Sequence, residues 1–284
     1  MVIETIQNHP HIFFKMLSGF LGIEFFMFLS WIFSIKLRDA SIVDRLWGLN
    51  FILLTGIYFF QSHDICWRHW VTLLLISVWG VRLSLHIHFR NQYLGEDFRY
   101  QTMRRLHGRS FWWYSLFSVF FLQGFLAFLI SAPIFWIFTG GMASKSIWDL
   151  IAIGLWSIGF FFEVVGDAQL KKFKSDHMNK GKVLNHGLWS LARHPNYFGD
   201  ALIWWSMFFL AISTPSGWMT FFGPLIMSFF LRYISGATLL EKSLKLTKPE
   251  YANYVATTPA FIPRLANITK CLLWKKDDNK KNVI

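Results

Sequence analysis

IWDLIAIGLWSIGFFFEVVGDAQLKKFK, residues 147–174, decides what kind of protein this is. From Ile147 to Leu170 the run is almost wholly apolar, and a helix of about 20 such residues crosses the ~30 Å hydrocarbon core of a bilayer. Lysines 171, 172 and 174 close it, where cations suit a helix C-terminus. Comparable runs lie at Ile12–Ile35, Leu46–Phe60, Trp70–Phe89, Phe111–Phe138, Tyr197–Ile212 and Trp218–Gly236. Leu46–Phe60 is short and reaches full length only if its helix starts near Ser41. The pattern predicts an all-α polytopic membrane bundle of about seven transmembrane helices.

Composition agrees. Hydrophobic residues are 54% of the 284, aromatics 19% and charged residues 15%, against roughly 25% charged in soluble domains. When loops are assigned alternately to two sides, 24 of the 28 Lys and Arg fall on one of them. The positive-inside rule then puts the C-terminus in the cytoplasm and the N-terminus outside, and an even number of spans would destroy the asymmetry. The net charge of +12 reflects this topology and attraction to anionic lipid, so no nucleic-acid partner follows. The first apolar run is too long for a signal peptide and contains Glu24. Cys66 and Cys271 fall on opposite faces and cannot pair. Residues 1–270 read as a single integral membrane domain and 271–284 as a charged, disordered tail.

Charges at bilayer depth are costly and gather where function needs them. Glu24, Arg82, Glu163 and Asp167 are of this kind. On the third span the helical repeat aligns Trp79, Arg82 and His86 on one face. His86 and His88 point some 200° apart on a helix, which argues against a metal site. On the fifth span Asp167, Lys171 and Lys174 form one stripe, leading to LWSLARHPNYFGD at 188–200. Pro195 suits a first helical turn, so the sixth span starts at His194–Asn196 with Asn196 and Asp200 one turn apart. A helix N-terminus attracts anions, and Arg193 just before it can grip a phosphate through its planar fork. A phosphate-bearing polar cofactor at the cytoplasmic ends of these spans, with an apolar substrate above it, is the economical reading. No Gly-rich dinucleotide fingerprint, Walker loop, H-E-x-x-H or C-x-x-C is present.

The stretch D-x-Q-x-x-x-F…GLWSLARHPNYFGD, from Asp167 to Asp200, resembles the DUF1295 family of membrane proteins. That family is related to steroid 5-alpha-reductases and, more distantly, to sterol delta-14 reductases and the lamin B receptor. SIVDRLWG (41–48), the 82–100 region with EDFRY, and Glu241 with PEYANYVATTPAFIP (249–263) extend the likeness over most of the chain. The resemblance implies an NADPH-dependent reductase that reduces a carbonyl-conjugated C=C bond in a steroid-like or other hydrophobic lipid. It implies a cofactor site from Asp167, Lys171, Lys174, Arg193, His194, Asn196, Tyr197, Asp200 and Glu241, approached by Arg82 and His86. In steroid reductases an acid of the second span and a tyrosine of the third hold the substrate ketone. Asp44 is the counterpart of the acid, but Trp79 stands at the tyrosine position and cannot donate a proton in that role. That departure leaves the proton donor open: Asp44 is the first choice, Tyr100 and Tyr197 are reserves, and Arg82 nearby is another group that could stabilise the charge.

Two other classes compete. Isoprenylcysteine and phospholipid methyltransferases, which bind S-adenosylmethionine, share an R-H-P-x-Y-x-G turn and a later glutamate; the cationic Lys171, Lys174 and Arg193 fit a phosphorylated cofactor better. A non-catalytic lipid-binding protein of the same fold is the third. The length and the lack of a retention signal favour a bacterial inner membrane over the endoplasmic reticulum.

Overall fold

The computed structural model describes residues 10–141, 144–234, 241, 244 and 247–267; the 271–284 tail lies outside them. Among the described residues all regular structure is helical. The helices are α1 (Pro10–Leu37), α2 (Ile42–Phe60), α3 (Trp67–Asn91), α4 (Phe98–Ile130), α5 (Ala132–Thr139) and α6 (Ile147–Ser175). They continue as α7 (Pro195–Ile212), α8 (Phe222–Phe229) and α9 (Tyr251–Thr257). Among the described residues, five are long and apolar enough to cross a membrane: α1, α2, α3, α4 and α6. The protein is an all-α, multi-pass membrane helix bundle. The sixth expected span is α7, of 18 residues and polar at its start, and the seventh is α8 with a π-helical extension over Phe230–Ile234.

Two boundaries show what hydropathy hides. The second span starts at Ile42, with Ser41 as N-cap and Asp44 in its first turn, where a negative charge suits the helix dipole. The fourth, expected at Phe111–Phe138, begins instead at Phe98 and breaks at Ser131. The charged stretch FRYQTMRRLH is helical because Asp97 caps it, accepting from the Arg99 N–H at 3.0 Å. At the far end Ser131 closes α4 and Pro133 sits in the first turn of α5. A π turn over Leu116–Phe121 interrupts α4.

The chain forms two compact units, Met1–Lys145 with Leu210–Gly223, and Ser146–Phe209 with Pro224–Ile284. In the first unit α2 lies against α3 where two glycines meet: a Cβ on Gly48 would sit 2.3 Å from the Gly80 carbonyl oxygen. That approach lets Phe51 and Trp79, both fully buried, pack with ring centroids 5.6 Å apart. Glu24 of α1 is accommodated against Gly124, and its two carboxyl oxygens find no hydrogen-bond partner among the described residues. Phe14, Phe25 and Leu74 face outward, 66%, 63% and 61% exposed, as a lipid-solvated surface requires. In the second unit α6 and α7 touch through another glycine pair, a Cβ on Gly199 falling 2.4 Å from the Gly159 oxygen. Small residues permit such backbone contact in membranes, where dispersion and not water drives helix association.

Candidate active site

In the first unit Asp44 and Tyr100, 56 residues apart in sequence, form a hydrogen bond. Asp44 projects from the first turn of α2 and Tyr100 from the first turn of α4. The Tyr100 hydroxyl donates to Asp44 Oδ1 at 2.7 Å, and Arg99 Nη2 donates to Oδ2 at 2.5 Å. Arg99 Nε also donates to Asp97 Oδ1 at 2.8 Å. Burial works against ionisation of Asp97, yet hydrogen bonds from the Arg99 side chain and backbone hold its carboxyl below the usual range. Gln123, further along α4, donates to the Tyr100 oxygen at 3.4 Å. Tyr100 is only 5% exposed. The result is a phenol held between a carboxylate acceptor and an amide donor, with its proton directed at Asp44.

Glu96 ties the loop before α4 to the start of α2, accepting from the Ala40 N–H at 2.8 Å and from Arg104 Nη2 at 2.8 Å. Arg82 and His86 sit half-buried on α3. Asp44 takes hydrogen bonds from Tyr100 and Arg99. Trp79 is fully buried in the α2–α3 contact.

In the second unit the RHPNYFGD stretch folds onto α6 and the C-terminal segment. Gly187 adopts φ +60°, and a Cβ there would meet the Gln169 side chain at 2.7 Å. Gln169 Oε1 in turn accepts from the Leu188 N–H at 3.0 Å, and the Trp189 indole donates to the Gly166 carbonyl at 3.0 Å. Asn196 Nδ2 donates to Asp167 Oδ1 at 2.9 Å, while Asn196 Oδ1 is buried with no hydrogen-bond partner among the described residues. His194 stacks on Tyr197 at 5.4 Å with the rings 6° from parallel. Asp167 and Asp200 are buried; Lys171 and Lys174 are exposed on α6 one and two turns beyond Asp167.

Arg193 and Glu241 are a buried pair. Arg193 Nε and Nη2 donate to the two Glu241 oxygens at 2.9 and 3.1 Å, and Nη1 donates to the carbonyls of Thr258 (2.6 Å) and Val255 (3.2 Å). His194 Nε2 lies 3.0 Å from Glu241 Oε1. Burial alone would raise the Glu241 carboxyl, but the His194 and Arg193 hydrogen bonds and charges hold it down at about 2. Burial and the neighbouring Glu241 charge push the Tyr251 phenol up to about 12. Backbone bonds from Arg193 to Pro259 and from His194 to Ala260, with the Tyr254 hydroxyl donating to the Trp189 carbonyl, fasten the same segment. The Arg193 fork, expected from sequence to meet a phosphate, is thus engaged by Glu241 and two backbone carbonyls.

Arg99, Asp97, Gln123 and Tyr254 are partners that sequence inspection did not single out. Only Asp97 left a signal, as an acidic residue immediately before a helical run. Among the described residues no group of three or more His, Cys, Asp or Glu is placed to hold a metal ion.

An apolar helix bundle with a part-buried acid–phenol pair in one unit and a fastened R-H-P-N-Y turn in the other makes this a multi-pass α-helical membrane protein. Residues 30–258 match the DUF1295 family, described as a protein of unknown function, and the chain belongs to it. It is 26% identical over 266 residues, 83% of this chain and 76% of the other, to an uncharacterized protein of Schizosaccharomyces pombe. A shorter stretch of 77 residues is 42% identical to a protein of Ustilaginoidea virens described as a probable O-methyltransferase, covering 27% of this chain and 25% of that one. No solved structure matches.

Proposed function

We propose that the protein is a membrane reductase that uses NADPH to saturate a carbonyl-conjugated C=C bond in a hydrophobic lipid or steroid-like substrate. The observation that carries this reading is the part-buried Asp44–Tyr100 hydrogen bond at 2.7 Å, made by a buried phenol at the end of an apolar bundle. Both Asp44 oxygens accept hydrogen bonds, so Asp44 orients and the phenol carries the proton. Reduction of a conjugated alkene builds negative charge on the carbonyl oxygen as an enolate. A phenol aimed by Asp44 and Gln123 can turn its O–H to that oxygen and stabilise the charge, the type of contact that lowers such barriers most. Arg99 holds Asp44 in place while the phenol moves.

NADPH would supply the hydride, and residues of the second unit its seat. The second unit fits such a group through Asn196 Oδ1, a buried acceptor in need of a donor. Lys171 and Lys174 are exposed cations one and two turns beyond Asp167, of the charge that phosphates, including the 2′-phosphate that separates NADPH from NADH, require. Asp167 fixes the Asn196 amide, and Arg193, His194 and Glu241 hold the turn that presents it. Tyr197 and Asp200 flank it on the same helix.

Methyl transfer from S-adenosylmethionine is the second reading, favoured by the 77-residue likeness to a probable O-methyltransferase. One experiment tests the reductase directly. Purified protein is incubated with NADPH deuterated at the transferable position and a membrane lipid extract, and products are sought by mass spectrometry. Deuterium should appear in a saturated lipid with wild-type protein and vanish with Tyr100→Phe. Methylated lipid after S-adenosylmethionine, with no deuterated product, would replace the reductase by a methyltransferase.

A further inference from the structure

Within the first unit a second polar site lies at the opposite end of α2 from Asp44. Nineteen residues of helix separate the two ends, roughly 28 Å at 1.5 Å per residue. Here the first turns of α1 meet the exit of α2 and the end of α5 around a cavity of about 630 Å³. Its central group is Lys15, whose residue is only 9% exposed. The ammonium donates to Ser62 Oγ at 3.0 Å and to the Phe138 carbonyl at 3.2 Å. Both acceptors are neutral. No carboxylate among the described residues stands within ion-pair distance of Lys15, and an ammonium has three N–H donors, so the third is left for the cavity it lines.

A buried charge held by neutral oxygens and lacking a counter-ion is costly unless something supplies the opposite charge. The neighbouring groups indicate what that is. His69 accepts from the Cys66 N–H at Nδ1 and so donates from Nε2 to the Ile137 carbonyl, 3.0 Å away; it is a neutral brace and not a ligand. His63 is exposed on the rim, adding donor capacity, and the exposed Asp64 subtracts charge, so the cavity matches a single negative group better than a polyanion. Phe14, 66% exposed, forms one wall, so an apolar chain leaving the cavity meets apolar surface.

We propose that this cavity binds a phosphate-bearing anion through Lys15, the headgroup of a singly charged lipid being the source that the Phe14 wall favours. The site does not depend on the reductase reading and lies apart from the Asp44–Tyr100 pair.

The test uses the full chain, purified in neutral detergent and titrated with phosphatidylglycerol, phosphatidylcholine or inorganic phosphate. Bound species are counted by native mass spectrometry and stabilisation is followed by melting temperature. Phosphatidylglycerol should bind and stabilise the wild type where phosphatidylcholine does not, and Lys15→Met should lower its affinity ten-fold or more. Ser62→Asp guards against misfolding of Lys15→Met: it places a carboxylate beside the ammonium, so it should raise the melting temperature and abolish lipid binding. Binding of inorganic phosphate with the same dependence on Lys15, and no preference for phosphatidylglycerol, would keep the anion site and assign it a soluble ligand. Equal binding of both lipids with no phosphate binding, or unchanged anion binding in both variants, would overturn the proposal.

Discussion

Replacing Glu241 by Gln tests whether the Arg193–Glu241–His194 cluster holds the second unit together. The folded carboxyl titrates at about 2 against an ordinary 4.5. At about 1.4 kcal/mol per pKa unit, the ionised form gains at most about 3.5 kcal/mol from its surroundings, and solvent screening brings this nearer about 3 kcal/mol. Breaking one partner of a buried ion pair typically costs about 3–5 kcal/mol, since the other charge stays buried. Gln keeps the shape and one acceptor oxygen, so the lower figure applies. With about 2–4 °C per kcal/mol for a domain of this size, the melting temperature in detergent should fall by about 6–12 °C at neutral pH. The sign with pH is fixed. A depressed carboxyl gives stability that is fully present above its unfolded value of 4.5 and lost as pH falls through about 2. The gap between wild type and Glu241→Gln should therefore narrow across that window. Equal melting temperatures at neutral pH, or a gap that stays constant as the carboxyl is titrated, would refute the tie.

Tyr100→Phe removes one hydroxyl and leaves the ring packed, so it should lower stability by only about 1 kcal/mol yet lower turnover by about 10²–10⁴; melting temperature and product formation separate the two. Gly199→Ala puts a methyl group 2.4 Å from the Gly159 oxygen and should cost about 1–3 kcal/mol or more by forcing α6 and α7 apart. Gly154→Ala, on the same α6 with open space around it, should instead be neutral or stabilise by up to about 1 kcal/mol, as comparison of detergent melting curves will show. Tyr254→Phe leaves the Trp189 carbonyl without its donor and should cost about 1–2 kcal/mol, read the same way.

The helices were legible because a span advertises itself by length and apolarity: α1, α3 and α6 all cover the runs read from sequence. Ser41 as the start of α2 was legible too, from the length the bilayer demands. The first turns of α4 were not. FRYQTMRRLH is too charged for a hydropathy reading to join to a span, although Arg, Gln, Met and Leu are good helix formers and Asp97 is a strong cap. Asp44 and Tyr100 were both candidates, but their contact could not be read, because it depends on how α4 is set against α2. Arg193 shows what local sequence hides. A guanidinium before a helix N-terminus fits a phosphate by its local chemistry, and nothing local reveals a glutamate 48 residues later that takes the same fork.

Direct titration of purified protein tests whether NADPH is its reactive partner, as proposed. Melting temperature and intrinsic fluorescence are followed against NADPH, NADH and S-adenosylmethionine, with Lys171→Ala and Lys174→Ala alongside wild type. Saturable binding of NADPH is expected, tighter than that of NADH and weaker in both lysine variants, with the Asp44–Tyr100 pair untouched. Saturable binding of S-adenosylmethionine with no response to either nicotinamide nucleotide would contradict it.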